Sequence, residues 1–163
     1  MLEERTGQMN APLILQLGCG SNPCNLAGWV NHDKTKHHDY VDIDADLDIF
    51  PWSWWSDEQF VVIVAIDVLE HLANPVKALE ECWRILTPDG YLRLRVPNGC
   101  NYNYQTDLTH KHPFTPHSLD YFVRGTEFEN KYGYYSQMRW KVVEFKITED
   151  DNLEWLLSKD VEA

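Results

Sequence analysis

Residues 60–66 read FVVIVAI, followed by DVLEHLANPVKALEECWRILTPDG over 67–90 and YLRLRV over 91–96. The first run is continuous and β-branched, the pattern of a strand buried on both faces of a parallel sheet. Asn74 is placed to cap a helix, Pro75 suits its first position, and Val76, Leu79, Trp83 and Leu86 recur at helical spacing. Asp89-Gly90 is expected to end that helix. Tyr91–Val96 then alternates, with Leu92, Leu94 and Val96 on one face and Tyr91, Arg93 and Arg95 on the other, which must be wet or paired. Strand, helix, strand in this order predicts an open α/β sheet, and such sheets bind ligands beyond the carboxyl ends of their strands.

The flanking sequence extends this unit. LILQL at 13–17 reads as a strand stopped by Gly18, GWVNHD at 28–33 as a second, and Tyr40–Ile43 as a third. Too few residues separate the first two for a full crossover helix. After Pro97 a polar loop runs to about Phe114, Pro116–Phe122 predicts one short helix, and Met138–Thr148 and Leu153–Leu157 predict two strands joined by Glu-Asp-Asp-Asn. With no repeat and no linker-like stretch, the 163 residues are expected to form a single domain over 1–163.

Hydrophobic residues make up 44% and aromatic residues 13%, enough core formers to exclude disorder. Cys19, Cys24, Cys82 and Cys100 show no C-x-x-C pair and no disulfide density, so reduced thiols are expected. A net charge of -12 repels polyanions and disfavours nucleic acid as a partner. No apolar run reaches membrane-span length, and the opening MLEERTGQMN has mixed charge with no hydrophobic signal core after it. A cytoplasmic protein without membrane attachment is therefore expected.

Gly18-Cys19-Gly20-Ser21-Asn22 follows the first strand directly, where glycines let the backbone turn sharply and approach a ligand. As a dinucleotide fingerprint the stretch fails, because Pro23 stands where a third glycine is needed. That disfavours a nucleotide-binding oxidoreductase. Taken in order, LQLGCGSNP with GWVNHD, then DVLEHL, ALEECWRILTPDG, LRVPN and THKHPFTPHSL resemble the motifs of small class I S-adenosylmethionine-dependent methyltransferases, a generic type 11-like subset with a shortened first helix. The resemblance implies a Rossmann-like, mostly parallel sheet with an antiparallel C-terminal strand. It also implies S-adenosylmethionine as cofactor and methyl transfer to an oxygen or nitrogen of a small-molecule acceptor. The alternative is a catalytically inactive S-adenosylmethionine-binding regulatory or assembly protein.

By the same resemblance Gly18, Cys19 and Gly20 lie against the methionine part of the cofactor, and Asp33 accepts the two ribose hydroxyls, which a carboxylate can do in bidentate fashion. Asp46 accepts from the adenine amino group, with the Leu47 amide near a ring nitrogen, although Asp42, Asp44 and Asp48 leave the alignment open by one step. Asp67 stands at the methionine end. Gln16 takes the place of an acidic residue common in relatives. DVLEHL is also similar to a metal-binding stretch of quinone-biosynthesis O-methyltransferases, but Glu70 and His71 equally suit a loop held by hydrogen bonds, and no metal is assigned. Asp107, His110 and His112 read as a base with its orienting carboxylate, as ligands, or as loop-folding residues. His110 and His71 are the candidate catalytic residues. Arg93, Arg95 and the cluster Trp52, Trp54 and Trp55 either cover a thinly protected sheet face, meet a second subunit in a homodimer, or pack within a monomer.

Overall fold

The structure, a computed structural model, describes residues 12–36 and 39–161. The opening MLEERTGQMN segment lies outside the described residues. β1 (Ile14–Leu17), β2 (Trp29–Asp33), β3 (Ile43–Asp44), β4 (Phe60–Ile66) and β5 (Leu86–Pro97) pair in parallel, and β7 (Asn152–Lys159) runs antiparallel between β5 and β6 (Trp140–Ile147). The strand order is β3-β2-β1-β4-β5-β7-β6. This is the α/β sheet with an antiparallel C-terminal strand expected from the sequence.

Helix α1 (Pro75–Ile85) starts as predicted: the Asn74 side chain accepts from the Lys77 amide at 3.0 Å, and Pro75 occupies the first turn. It lays Ala78, Leu79, Cys82 and Ile85 against the sheet. It ends at Ile85, ahead of the expected Asp89-Gly90. Thr87 precedes Pro88, which disfavours helical torsions there, and Leu86 is already extended and paired with Phe60. Residues 87–90 bulge out before Tyr91 takes its place opposite Val62.

The alternation in β5 is as read. Leu92, Leu94 and Val96 are fully buried, while the opposite face is paired: Arg93 and Lys146 reach Glu154 at 3.7 and 3.2 Å, and Arg95 binds Asp67. Trp52 and Trp55 do not cover this charged face. They sit in the core with ring centroids 5.6 Å apart, Trp55 meeting Phe60 at 5.8 Å and His32 at 5.5 Å.

Between β1 and β2 no helix forms, and two side chains hold the loop instead. Gln16 accepts from the Cys24 amide and donates to the Asn22 carbonyl, both at 3.1 Å. Asn31, wholly buried, accepts from the Cys24 amide at 2.9 Å and donates to the Cys24 and Tyr40 carbonyls at 2.9 and 3.1 Å. The last bond draws residues 40–42 into an irregular approach to β2, so the third strand is Ile43–Asp44 and not Tyr40–Ile43.

The polar segment after β5 contains a short helix, α2 (Tyr102–Thr106), capped by Asn101. Of the helix predicted over Pro116–Phe122 only a 3-10 turn at Asp120–Phe122 forms, and α3 (Glu127–Tyr132), capped by Thr126, follows it. Among the described residues no helix is long and apolar enough to cross a membrane.

Candidate functional site

The carboxyl ends of β1, β2, β3 and β4 open on one cleft of about 300 Å³. Gly18, Asp33, Asp46, Leu47, Asp67 and His71, all singled out in the sequence, line it. Cys19 and Gly20 do not; Cys19 is buried, its amide bonded to the His32 carbonyl at 2.9 Å. Burial pushes the Cys19 thiol up to about 11, so it is protonated at neutral pH.

Gly18 turns the chain with φ of +61°, and a Cβ there would lie 2.5 Å from a Val68 methyl. Gly20 also has positive φ, +51°, but open space around it. Both positions resist a side chain torsionally, and only Gly18 resists it sterically. Gly18→Ala is therefore expected to lower stability by about 2–4 kcal/mol and Gly20→Ala by about 1–2 kcal/mol in urea titrations. Equal losses would show that the Val68 contact does not matter.

Asp33 ends β2 and ties the glycine loop to it: one carboxylate oxygen accepts from the Gly20 amide at 2.7 Å, the other from the Thr35 amide at 3.2 Å. Each oxygen keeps a second lone pair for a ligand. Asp46 accepts from the Asp48 amide at 3.1 Å and pairs with Lys34 at 2.8 Å, and the hydrogen bond from Lys34 holds its carboxyl below the usual range. The Leu47 carbonyl accepts from the Trp52 indole at 3.1 Å, which fastens this rim of the cleft to the core. Asp67 adopts φ of +54° and both of its oxygens are engaged by the Arg95 guanidinium.

Sequence reasoning missed His32, Lys34, Asp48 and Lys111, which also line the cleft. His32 is a core residue whose Nε2 lies 3.0 Å from the Ala45 carbonyl, and burial lowers its pKa, so the ring is neutral. Lys111 comes from the segment after β5 and reaches Asp48 at 3.7 Å. Only the three-dimensional return of that segment reveals it: the Lys111 and His112 amides donate to the Glu70 carbonyl at 2.8 and 3.2 Å.

The same return brings His110 against His71, with ring centroids 4.7 Å apart. His112 points elsewhere, its Nε2 3.2 Å from the Ala73 carbonyl, and takes the loop-folding role. Asp107 accepts from the Thr109 amide and hydroxyl at 2.8 and 2.7 Å, and Thr109 in turn lies 3.0 Å from His71 Nδ1. Beneath the two rings Glu70 is completely buried, and neither carboxyl oxygen has a hydrogen-bond partner among the described residues.

Burial raises the Glu70 carboxyl from 4.5 to about 8. The folded chain then holds a proton that the unfolded chain releases, so in chelator-treated protein stability falls as pH rises from about 4.5 to about 8 and levels off above. Glu70→Gln is expected to flatten that part of the stability profile, measured by urea unfolding across the same pH range. An unchanged slope in the variant would assign the pH dependence to another group.

Residues 25–94 match the methyltransferase domain family. No curated protein matches the chain. Among solved structures, a S-adenosylmethionine-dependent methyltransferase from Archaeoglobus fulgidus is 14% identical with a TM-score of 0.63, covering 97% of this chain and 93% of that one. A S-adenosylmethionine-dependent methyltransferase from Thermotoga maritima gives the same identity and TM-score over 98% and 87%. A chain in the complex between the Haloferax volcanii Trm112 methyltransferase activator and a methyltransferase is 14% identical with a TM-score of 0.60 over 99% and 89%. The match to the methyltransferase domain family covers residues 25–94, less than half of the chain, and the whole described chain shares the fold of these S-adenosylmethionine-dependent methyltransferases.

Proposed function

We propose that this protein, as a single domain, is an active methyltransferase that moves a methyl group from S-adenosylmethionine to an oxygen or nitrogen of a small-molecule acceptor. The observation that carries the reading is the convergence of Gly18, Asp33, Asp46, Leu47 and Asp67, drawn from four separate loops, on one cleft. The cleft suits the cofactor. Gly18 lines the cleft with backbone alone, Asp33 at the end of β2 keeps free lone pairs for two hydroxyls, and Asp46 with Leu47 offers an acceptor and an amide at the far rim.

When bound, S-adenosylmethionine supplies a methyl group on a sulfonium, already a good leaving group. The chain's own task is therefore alignment and exclusion of water, with little acid–base machinery. His71 lines the acceptor side of the cleft and His110 packs against it, and a bare imidazole nitrogen on either accepts the proton of a hydroxyl acceptor. The net charge of -12 and the size of the cleft favour small metabolites over polyanions.

One observation favours the second reading, a cofactor-binding regulatory or assembly protein. Gln16, where an acidic residue is common, directs its amide to the loop at Cys24 and Asn22 and offers no charge to the cofactor's ammonium. Acceptor-dependent release of S-adenosylhomocysteine, screened over small hydroxyl and amine compounds, separates the two. Turnover supports the enzyme; tight cofactor binding with no turnover across the screen supports the binding protein.

A further inference from the structure

We infer that Glu70, His71 and His110 form a binding site for a divalent transition-metal cation of the zinc class, on the side of the cleft that His71 lines. Each of the three residues offers one donor atom, and these atoms lie within 4.8 Å of one another. The set is not the contiguous Asp67, Glu70 and His71 suggested by the spacing of DVLEHL. Asp67 is held by Arg95, whereas His110 arrives from the loop after β5.

Three features of the cluster are those of ligands and not of a loop clamp. Glu70 is fully buried with neither oxygen hydrogen-bonded among the described residues, a costly state for a carboxyl group whether or not it carries a proton. His110 Nδ1 lies 2.8 Å from the Tyr104 carbonyl, which only accepts, so that nitrogen carries the proton and the Nε2 lone pair is left bare. His71 Nδ1 lies 3.0 Å from the Thr109 hydroxyl, whose own hydrogen goes to Asp107 at 2.7 Å, so this ring too is protonated at Nδ1 and bare at Nε2. Outer partners that orient an imidazole in this way, one a backbone carbonyl and one a hydroxyl backed by a carboxylate, are the supports that metal-ligating histidines use.

Within the cluster His110 Nε2 stands 3.9 Å from the nearer Glu70 oxygen, too far for a hydrogen bond. A cation with bonds of about 2.0–2.2 Å fills such a gap after small side-chain shifts. Two imidazoles and one carboxylate match zinc and neighbouring ions better than magnesium or calcium, which prefer all-oxygen sites. Three protein donors leave a position free, as in zinc sites that also bind a substrate oxygen. With the cation in place the imidazole lone pairs are occupied, so cation binding and proton uptake by these rings exclude each other.

The test is calorimetric titration of chelator-treated protein with Zn2+, paralleled by Co2+ titration read by visible absorption, both without cofactor, so that the outcome is independent of methyl transfer. Expected are stoichiometric binding at micromolar concentration or below and a visible Co2+ band, with affinity about tenfold or more weaker in Glu70→Gln and in His110→Gln and the band lost in both. Near-UV circular dichroism confirms that each variant is folded, and His71→Gln replaces either one that is not. Absence of binding by the folded protein overturns the site, as does binding left unchanged by the substitutions, which would place the ion on other histidines or on thiols.

Discussion

Trp52→Ala is expected to lower the free energy of unfolding by about 3–5 kcal/mol, as for other large core truncations. Trp52 is completely buried, stacks on Phe50 at 6.1 Å and meets Trp55 edge-on. Its indole N–H is the donor to the Leu47 carbonyl, and its backbone amide donates to Glu81 at 2.8 Å. Losing the ring opens a cavity and frees the Asp46–Asp48 rim of the cleft in the same step. Trp52→Phe keeps most of the packing and loses only the indole hydrogen bond, so about 1–2 kcal/mol is expected there. Urea midpoints for the pair separate the two contributions. Equal losses in both variants would mean that the hydrogen bond, not the packing, dominates.

Asn31→Leu is expected to cost about 3–5 kcal/mol despite its similar volume, because it removes three hydrogen bonds made by a wholly buried side chain. The Cys24 and Tyr40 carbonyls lose their donor, and the Cys24 amide keeps only Gln16. The loop over residues 18–28 has no helix of its own, so these side-chain bonds, together with those from the Gly20 amide to Asp33 and the Cys19 amide to the His32 carbonyl, attach it to the sheet. Cofactor affinity should fall together with stability, since Gly18 begins that loop. Gln16→Ala, whose bonds are nearer to solvent, is expected to cost less, about 1 kcal/mol. A neutral Asn31→Leu, measured by the same unfolding titration, would show that the loop is held by other contacts.

The parts of the fold legible in the sequence were those fixed by local periodicity and strong punctuation. FVVIVAI forms the central parallel strand, although only Phe60, Ile63 and Ala65 are fully buried and the residues between them are partly exposed; Asn74-Pro75 starts a helix because cap and first-turn preferences coincide there. Glycines at 18 and 20, followed by a short gap to β2, indicated the ligand loop and the missing crossover. The ends of elements were harder. Pro88 acts one residue ahead of itself, so α1 stops at Ile85 although the hydrophobic spacing runs on to Leu86. The third strand moved because its approach is set by Asn31, whose side chain donates to the Tyr40 carbonyl at 3.1 Å and whose backbone amide donates to the Asp42 carboxylate at 2.9 Å. Short helices such as Glu127–Tyr132 have no buried face to leave a periodic trace.

For the site, residues at strand ends could be chosen because topology alone places them. Lys111 and the meeting of His110 with Glu70 could not, since they depend on a long segment folding back through bonds to the Glu70 carbonyl. For the tryptophans the sequence left three roles open. Of covering a sheet face, meeting a second subunit and packing within the chain, the last holds for Trp52 and Trp55, which occupy the core beside Phe60 and His32.

The central claim is that the cleft between Gly18, Asp33 and Asp46 holds S-adenosylmethionine, and calorimetric titration with S-adenosylmethionine and S-adenosylhomocysteine tests it most directly. Micromolar binding is predicted, weakened by about 1–3 kcal/mol in Asp33→Ala through loss of charge-assisted hydrogen bonds. Asp33→Asn, which keeps an acceptor for the Gly20 amide, separates loss of the ligand contact from loosening of the loop. A folded protein that binds neither compound, or one that binds both equally well without Asp33, would contradict the account.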